Sequence, residues 1–204
     1  MSSITMISGK GLNNELEDEL VRASQRGDRE AFNQLVLSYQ DRIYSLAVRL
    51  LNDMDTADDI AQNTFLTAYL NLHRFRNGSF RSWIYRIATN LCYDEHRRYK
   101  RYPVLPLENK ETKEEKLLPL SDFASYTVLP EREVERRESA QVIQDALTQL
   151  DPVQRTIVIL VDLQEMDYQE AADVLRIPVG TVKSRLARAR LKLRQLLGDS
   201  RLVN

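Results

Sequence analysis

The chain has 204 residues, 43% of them apolar and 29% charged, and its 29 Lys and Arg against 30 Asp and Glu leave a net charge of -1. That balance excludes a uniformly basic nucleic-acid coat, and a total of 6 Gly and 6 Pro favours helices over a turn-rich β fold. Cys92, the single cysteine, cannot close an internal disulfide.

The charge is unevenly distributed. Between Arg74 and Arg101 stand eight Arg or Lys against Asp94 and Glu95, and between Lys183 and Arg194 stand six with no acid. Two basic patches are therefore offset by acidic segments elsewhere. In the C-terminal half the longest apolar run is Ile157 to Val161, far below the ~20 residues of a membrane span. Residues 1 to 12 lack a basic segment followed by an apolar one, so no secretory signal is expected and a cytoplasmic location is.

In chain order, residues 1 to 14 show no periodicity and are expected to fray. Phe32, Leu35, Val36, Tyr39, Ile43, Leu46, Ala47 and Leu50 recur at steps of three and four, which predicts a helix from Asp28 to about Asn52. A second helix is predicted from Asp55 or Thr56, with Ala57, Ile60, Ala61, Thr64, Phe65, Ala68 and Leu72 on its inner face. After a loop at Asn77 and Gly78, a third runs from Ser79 or Phe80 to about Arg98, its core stripe being Ile84, Ile87, Ala88 and Leu91. Four of the six prolines fall between Pro103 and Pro130 among Glu and Lys, a composition that reads as a linker.

Helical signals resume near Pro130 with Val134, Ile143, Ala146, Leu147 and Leu150. Asp151-Pro152 suits the start of another helix, carrying Thr156, Ile157, Ile159, Leu160 and Leu163. Two more are predicted, Tyr168 to Leu175 and Val179 or Gly180 to Leu197, separated by Arg176, Ile177 and Pro178. The fold class expected is all-α: two small helical domains at 15–101 and 135–200 joined by a flexible linker at 102–134.

Two helices joined by about three residues, the second rich in Arg and Lys, form the helix-turn-helix pattern, whose second helix enters the DNA major groove. Val182, Leu186, Ala189, Leu193 and Leu196 make its packing stripe, while Thr181, Ser184, Arg185, Arg188 and Lys192 step along another face. Arg185 and Arg188 suit base edges or phosphates, because a guanidinium offers a planar fork of donors. Lys183, Arg190 and Lys192 suit phosphates. A merely solvated amphipathic face is the plainer reading, and six bases without one acid weigh against it.

Ile177-Pro-Val-Gly-Thr-Val-Lys-Ser-Arg-Leu-Ala-Arg-Ala-Arg190 resembles the second helix of the promoter-reading domain of bacterial sigma factors, called region 4, and Glu170-Ala-Ala172 the first helix of that motif. Arg176 stands where the family often has Gly. If that position needs a positive φ, Arg carries a strain of about 1 kcal/mol.

On the second N-terminal helix Asp59, Gln62, Asn63, Leu66 and Leu70 lie opposite the core stripe, either as a partner surface or packed on a neighbouring helix. Asp58-Asp-Ile-Ala-Gln-Asn-Thr-Phe65 resembles sigma region 2.2, which docks on the polymerase β′ subunit. By position that resemblance implies core-polymerase contacts from Asp59, Gln62, Asn63, Leu66 and Tyr69. Asn63 departs from the Glu often found there.

Phe80 to Arg101 interleaves bases with aromatics, and Arg86, Asn90, Tyr93 and Arg97 share a face away from Ile84, Ile87 and Leu91. Such a face suits single-stranded DNA, because cations track phosphates while aromatic and amide groups take unstacked bases. The run resembles sigma regions 2.3 and 2.4, which open and read the minus 10 element, and Arg74 to Phe80 resembles the loop that receives a flipped base. The resemblance implies DNA contacts from Arg74, Arg76, Phe80, Trp83, Arg86, Asn90, Tyr93, Arg97 and Arg98, and minus 35 contacts from Thr181, Lys183, Ser184, Arg185, Arg188 and Lys192. Trp83 lies on the border between core stripe and polar face, so packing and base stacking both stand. Asp94 is expected to brace Arg97 or Arg98.

No phosphate-binding glycine loop, metal-spaced Cys or His set or nucleophile motif is present. Neither catalytic residue, metal nor cofactor is expected, and Cys92 reads as packing. The whole resembles the extracytoplasmic-function sigma factors over residues 28 to 197, which implies core RNA polymerase (β′ and β), promoter DNA and an anti-sigma protein as partners. A stand-alone dimeric operator-binding regulator would leave the Asp59 and Arg86 faces without a role, and a helical scaffold would not explain two basic stretches.

Overall fold

The computed structural model describes residues 14–76, 78–101 and 130–200, with backbone alone at 130–138 and 199–200. Among these residues there are eight α-helices: α1 (Asn14–Gln25), α2 (Arg29–Leu51), α3 (Met54–Asn71), α4 (Phe80–Arg101), α5 (Pro130–Thr148), α6 (Pro152–Val158), α7 (Tyr168–Leu175) and α8 (Val179–Ser200). A short 3-10 turn, Leu72–Arg74, follows α3, and a π turn, Ile159–Leu163, follows α6. Among the described residues the regular structure is all helical, as expected. The expected tail lies outside the described residues except for Asn14. So does the expected linker at 102–129, while its last residues, from Pro130, belong to α5.

Local chemistry sets the N-terminal boundaries. Asp28 caps α2 by accepting from the backbone N–H of Glu30 at 2.9 Å and of Ala31 at 3.1 Å. The helix ends on Asn52, left-handed at φ 56, whose N–H donates to Val48 O. Asp53 then caps α3 by accepting from Thr56 N at 3.0 Å, so α3 starts slightly ahead of the predicted Asp55 or Thr56. The α2 stripe is buried throughout except for half-buried Val36, and Leu35, Ile43 and Leu46 meet Ile84 and Tyr85 of α4 in the core.

The C-terminal helices follow the same logic. Asp151 caps α6 through Val153 N at 3.0 Å, with Pro152 in the first turn as expected. A full capping box opens α7: Asp167 accepts from Glu170 N at 2.8 Å and Glu170 accepts from Asp167 N at 3.0 Å. Arg176 ends α7 at φ 54 and ψ 44, the left-handed geometry that favours Gly. Leu147, Ile157, Ile159, Leu160, Val182 and Leu186 form this unit's core.

Two expectations are corrected. Leu163 is exposed, because Gln164 N bonds back to Ile159 O at 2.9 Å in the five-residue spacing of a π turn, which shifts the residues after it off the α6 stripe. Ile143 is exposed too, because α5 turns Gln144, Ala146 and Leu147 inward and Gln144 donates to Arg49 O of α2 at 3.2 Å. No helix among the described residues is long and apolar enough to cross a membrane.

Candidate nucleic-acid interface

On α3, Ala57, Ile60, Ala61, Thr64 and Ala68 face the core, and helical geometry turns the intervening residues outward. Asp59, Gln62 and Asn63 are exposed, as are Leu66 at 56%, Tyr69 at 44% and Leu70 at 60%. Packing within the bundle therefore does not account for Leu66 and Leu70. The Tyr69 ring meets Phe32 edge-on at 5.0 Å between centroids, which fixes its direction while leaving it accessible. Gln62 donates to Asp58 at 2.8 Å.

The predicted loop at 74–80 is built around aromatic packing. Phe80 is buried and meets Phe75, Tyr39 and Trp83, so in this arrangement it is a core ring and not an open platform for a base. Trp83 lies 5.1 Å from Phe75 and 5.6 Å from Phe80, between ring centroids, and is half-buried. Arg74 and Arg76 are exposed. Gln25, at the end of α1, donates to Leu72 O at 3.0 Å and Phe75 O at 2.6 Å, anchoring the turn from which these arginines project.

Along α4 the predicted residues divide. Asn90, Arg97 and Arg98 are exposed, with Arg97 paired to Asp94 as expected and Arg98 to Glu95 at 2.7 Å. Arg86 and Tyr93 are half-buried instead. Arg86 Nε donates to Asp173 O of α7 at 3.1 Å, and burial pulls its guanidinium below the usual arginine range. Tyr93 OH lies 2.8 Å from Thr156 Oγ1 of α6, and burial pushes the phenol up. Burial, with Lys100 and Arg155 nearby, holds the His96 imidazole below its ordinary range. Cys92 is buried, consistent with a packing role.

On α8, Val182, Leu186 and Ala189 are buried, and Lys183, Ser184, Arg188 and Lys192 are exposed on the far side. Thr181 and Arg185 are half-buried. Lys183 lies 5.6 Å from the centre of the Tyr168 ring, and Lys192 donates to Gln149 O at 2.6 Å. Arg190 is paired with Asp162 through both Nε and a terminal nitrogen, which neutralises it as a phosphate contact in this arrangement. Among the described residues Arg188 has neither hydrogen bond nor ion pair, so it stands ready for an anion.

Four residues absent from the sequence reading join the two basic surfaces: Arg81, Tyr85, Gln144 and Arg155. Arg81 donates to Gln164 O and pairs with Glu170 at 3.4 Å, and Tyr85 donates to Gln164 Oε1 at 2.7 Å. Arg155 donates to Leu50 O at 3.0 Å and Thr148 O at 2.6 Å. Their partners lie far away in the chain and are mostly backbone carbonyls, which carry no sequence signature.

Residues 35–102 match the family model for sigma-70 region 2, and residues 140–193 match that for sigma-70 region 4. The chain is 38% identical over 180 residues to the extracytoplasmic-function RNA polymerase sigma factor SigW of Bacillus subtilis (strain 168), covering 88% of this chain and 95% of that one. Its fold is similar to CnrH in complex with the cytosolic domain of CnrY, at a TM-score of 0.65 and 26% identity, covering 90% of this chain and 98% of that one. It is likewise similar to the sigma factor RpoE in complex with the anti-sigma factor NepR from Bartonella quintana, at a TM-score of 0.64 and 27% identity, covering 82% and 96%. Two helical units carrying these two regions, with a helix-turn-helix in the second, place the chain in the extracytoplasmic-function group of the sigma-70 family, whose members direct RNA polymerase to promoters.

Proposed function

We propose a division of labour within this sigma factor. The unit at 15–101 binds core polymerase through Asp59, Gln62, Asn63, Leu66 and Tyr69, then captures the melted minus 10 strand through Arg74, Arg76, Trp83, Arg86, Asn90, Tyr93, Arg97 and Arg98. Phe80 supports that loop from beneath. The unit at 135–200 reads the minus 35 element as duplex, with Thr181, Lys183, Ser184, Arg185, Arg188 and Lys192 on the groove-facing side of α8. The segment 102–134 joins them. The factor works in the cytoplasm and carries out no reaction of its own, since polymerase supplies the chemistry.

The observation that carries this reading is the bare face of α3, where three large apolar side chains stand exposed among polar ones on a helix whose other side buries Ala57, Ile60, Ala61, Thr64 and Ala68. A stand-alone operator-binding protein has no use for such a face. The near-neutral net charge is in keeping with a subunit that relies on polymerase to bring two weak DNA readers to the promoter together. RpoE of Bartonella quintana is held by an anti-sigma factor, and we extend the same kind of partner to this chain.

In vitro transcription with core polymerase, on the promoter region of the protein's own operon, tests the proposal. A transcript dependent on the protein is expected, and Leu66→Asp is expected to abolish it by preventing co-elution with core. Failure of the wild type to co-elute with core polymerase would overturn the assignment of α3.

A further inference from the structure

None of the residues assigned to polymerase or DNA lies on α1, yet this helix reaches both sides of the turn that leads from α3 into α4. Gln25, in its last turn, donates through Nε2 to Leu72 O at 3.0 Å and to Phe75 O at 2.6 Å. Both partners are acceptors, so the nitrogen of the amide faces them, and its two hydrogens serve one carbonyl each. Leu72 O also receives Phe75 N at 3.1 Å, so one side chain holds the 3-10 turn at its first residue and at its closing one. Eight residues back along α1, about 12 Å at the helical rise, Glu17 accepts from the Tyr39 hydroxyl, and the Tyr39 ring meets Phe80 at 5.7 Å between centroids.

The consequence falls on Trp83, whose ring has Phe75 on one side and Phe80 on another. Gln25 places Phe75 through its own carbonyl, and Tyr39 backs Phe80. Gln25 is itself exposed, and a hydrogen bond at such a site exchanges readily with water and adds little to the stability of the whole fold. What two bonds from one side chain supply is order in the turn, and with it the direction of Phe75, Arg74 and Arg76.

We propose that Gln25 is a positioning residue for base selection. It sets the turn at 72–76 so that Trp83, with Phe75 against it, offers a fixed stacking partner to one unpaired base of the minus 10 strand, while Arg74 and Arg76 meet the phosphates beside that base. This rests on reading the turn and α4 as the strand-capturing surface. Gln25 touches no DNA and acts through Phe75. Stacking tolerates any base, so discrimination needs a platform held in one place, and a platform that shifts accepts every occupant alike. Gln25 therefore governs which base is accepted more than how strongly DNA is held overall.

The test uses the full chain assembled with core polymerase, and fluorescent fragments of a promoter from which it directs transcription. The fragments are unpaired over the minus 10 element and carry one abasic position, moved along the non-template strand. The wild type should lose about tenfold in affinity at one position, the scale of one stacked base, and little elsewhere. Q25A should flatten that peak to about twofold, because a loose platform gains little from the base when it is there, with association with core polymerase unchanged. Q25E keeps the size but turns only acceptors toward two carbonyls, and should flatten the peak likewise. Q25K brings donors back within reach and should restore it, since its added charge shifts affinity at every position alike.

A peak retained in Q25A or Q25E would overturn the proposal, as would an even loss at all positions, the mark of a residue that merely holds the fold. A peak lost in Q25K as well would overturn the donors as its cause. Should Q25A fail to fold by circular dichroism, Q25E and Q25K carry the comparison between them. A peak absent from the wild type would overturn the strand-capturing reading itself, so the two ideas fail at different points.

Discussion

Helices α3 and α4 leave the same bundle with surfaces of opposite fate. The outer face of α3 lies open in the free chain, with Leu66, Tyr69 and Leu70 in solvent. The corresponding face of α4 is half covered, with Arg86 and Tyr93 bonded to α7 and α6. The difference teaches where function and stability can be separated by mutation. A side chain exposed in the free protein can be changed with its effect read on the partner alone, whereas a covered one changes the free state as well.

The largest expected effect lies on the open side. Leu66→Asp should weaken association with core polymerase by about 3 kcal/mol, the scale of an interfacial hot spot, and leave the melting temperature where it was. A molten circular dichroism spectrum would place Leu66 in the core and dissolve the contrast between the helices.

Next comes α8, where the contrast recurs between neighbours. Arg185→Ala should cut promoter-specific transcription roughly tenfold, the scale of one base-reading pair, with polymerase association intact. An equal loss of association would contradict its role. Arg188→Ala, which removes a fully available cation, should lower the salt dependence of promoter binding by about one ion. A titration of affinity against salt checks it.

A smaller effect is expected at the turn of the helix-turn-helix. Arg176 sits at φ 54, so Arg176→Gly should raise stability by up to about 1 kcal/mol in urea unfolding. No gain would mean that the side chain compensates for its backbone.

The smallest effect concerns Glu17, buried in α1 and bonded to the Tyr39 hydroxyl. Burial raises its carboxyl above the ordinary glutamate range, against the lowering effect of Tyr39 and Arg81. The folded state therefore binds this proton more tightly than the unfolded one. The stability it contributes is present below the unfolded glutamate value of 4.5 and is lost as pH rises through the folded one. Glu17→Gln should remove that slope, and unfolding curves that keep the same pH dependence would refute the assignment.

Much of the fold was legible because caps and stripes are local. Asp151-Pro152 announced α6, and the α2 stripe from Phe32 to Leu50 matches its buried face. Helix α1 was not foreseen, because Glu17 and Ser24 occupy inward positions beside Leu20 and Val21 and break the apolar pattern. Among the candidate site residues, helical spacing set Leu66 and Leu70 opposite the core stripe but left packing on a neighbouring helix open, and it is the tertiary arrangement that leaves them exposed. The covering of Arg86 and Tyr93 was not legible, because Arg86 meets the backbone carbonyl of Asp173, which any residue would supply, and Tyr93 meets the Thr156 hydroxyl 63 residues further along the chain. Arg155 gave no signal because both its partners, Leu50 O and Thr148 O, are backbone positions and not residue types, and Arg81 divides between Gln164 O and a Glu170 that lies 89 residues away in the chain.

The π turn at Ile159–Leu163 has a consequence for the rest of the C-terminal unit. Its backbone holds one residue more than an α-helical path would, and Asp162 within it reaches Arg190 of α8 while Gln164 just after it meets Arg81 and Tyr85. Deleting a single residue there would let α6 run on as regular helix and turn everything downstream by about 100°. The turn therefore acts as a phase setting between α6 and the helix-turn-helix. A length change of one residue in this stretch would be felt more severely than most substitutions in it.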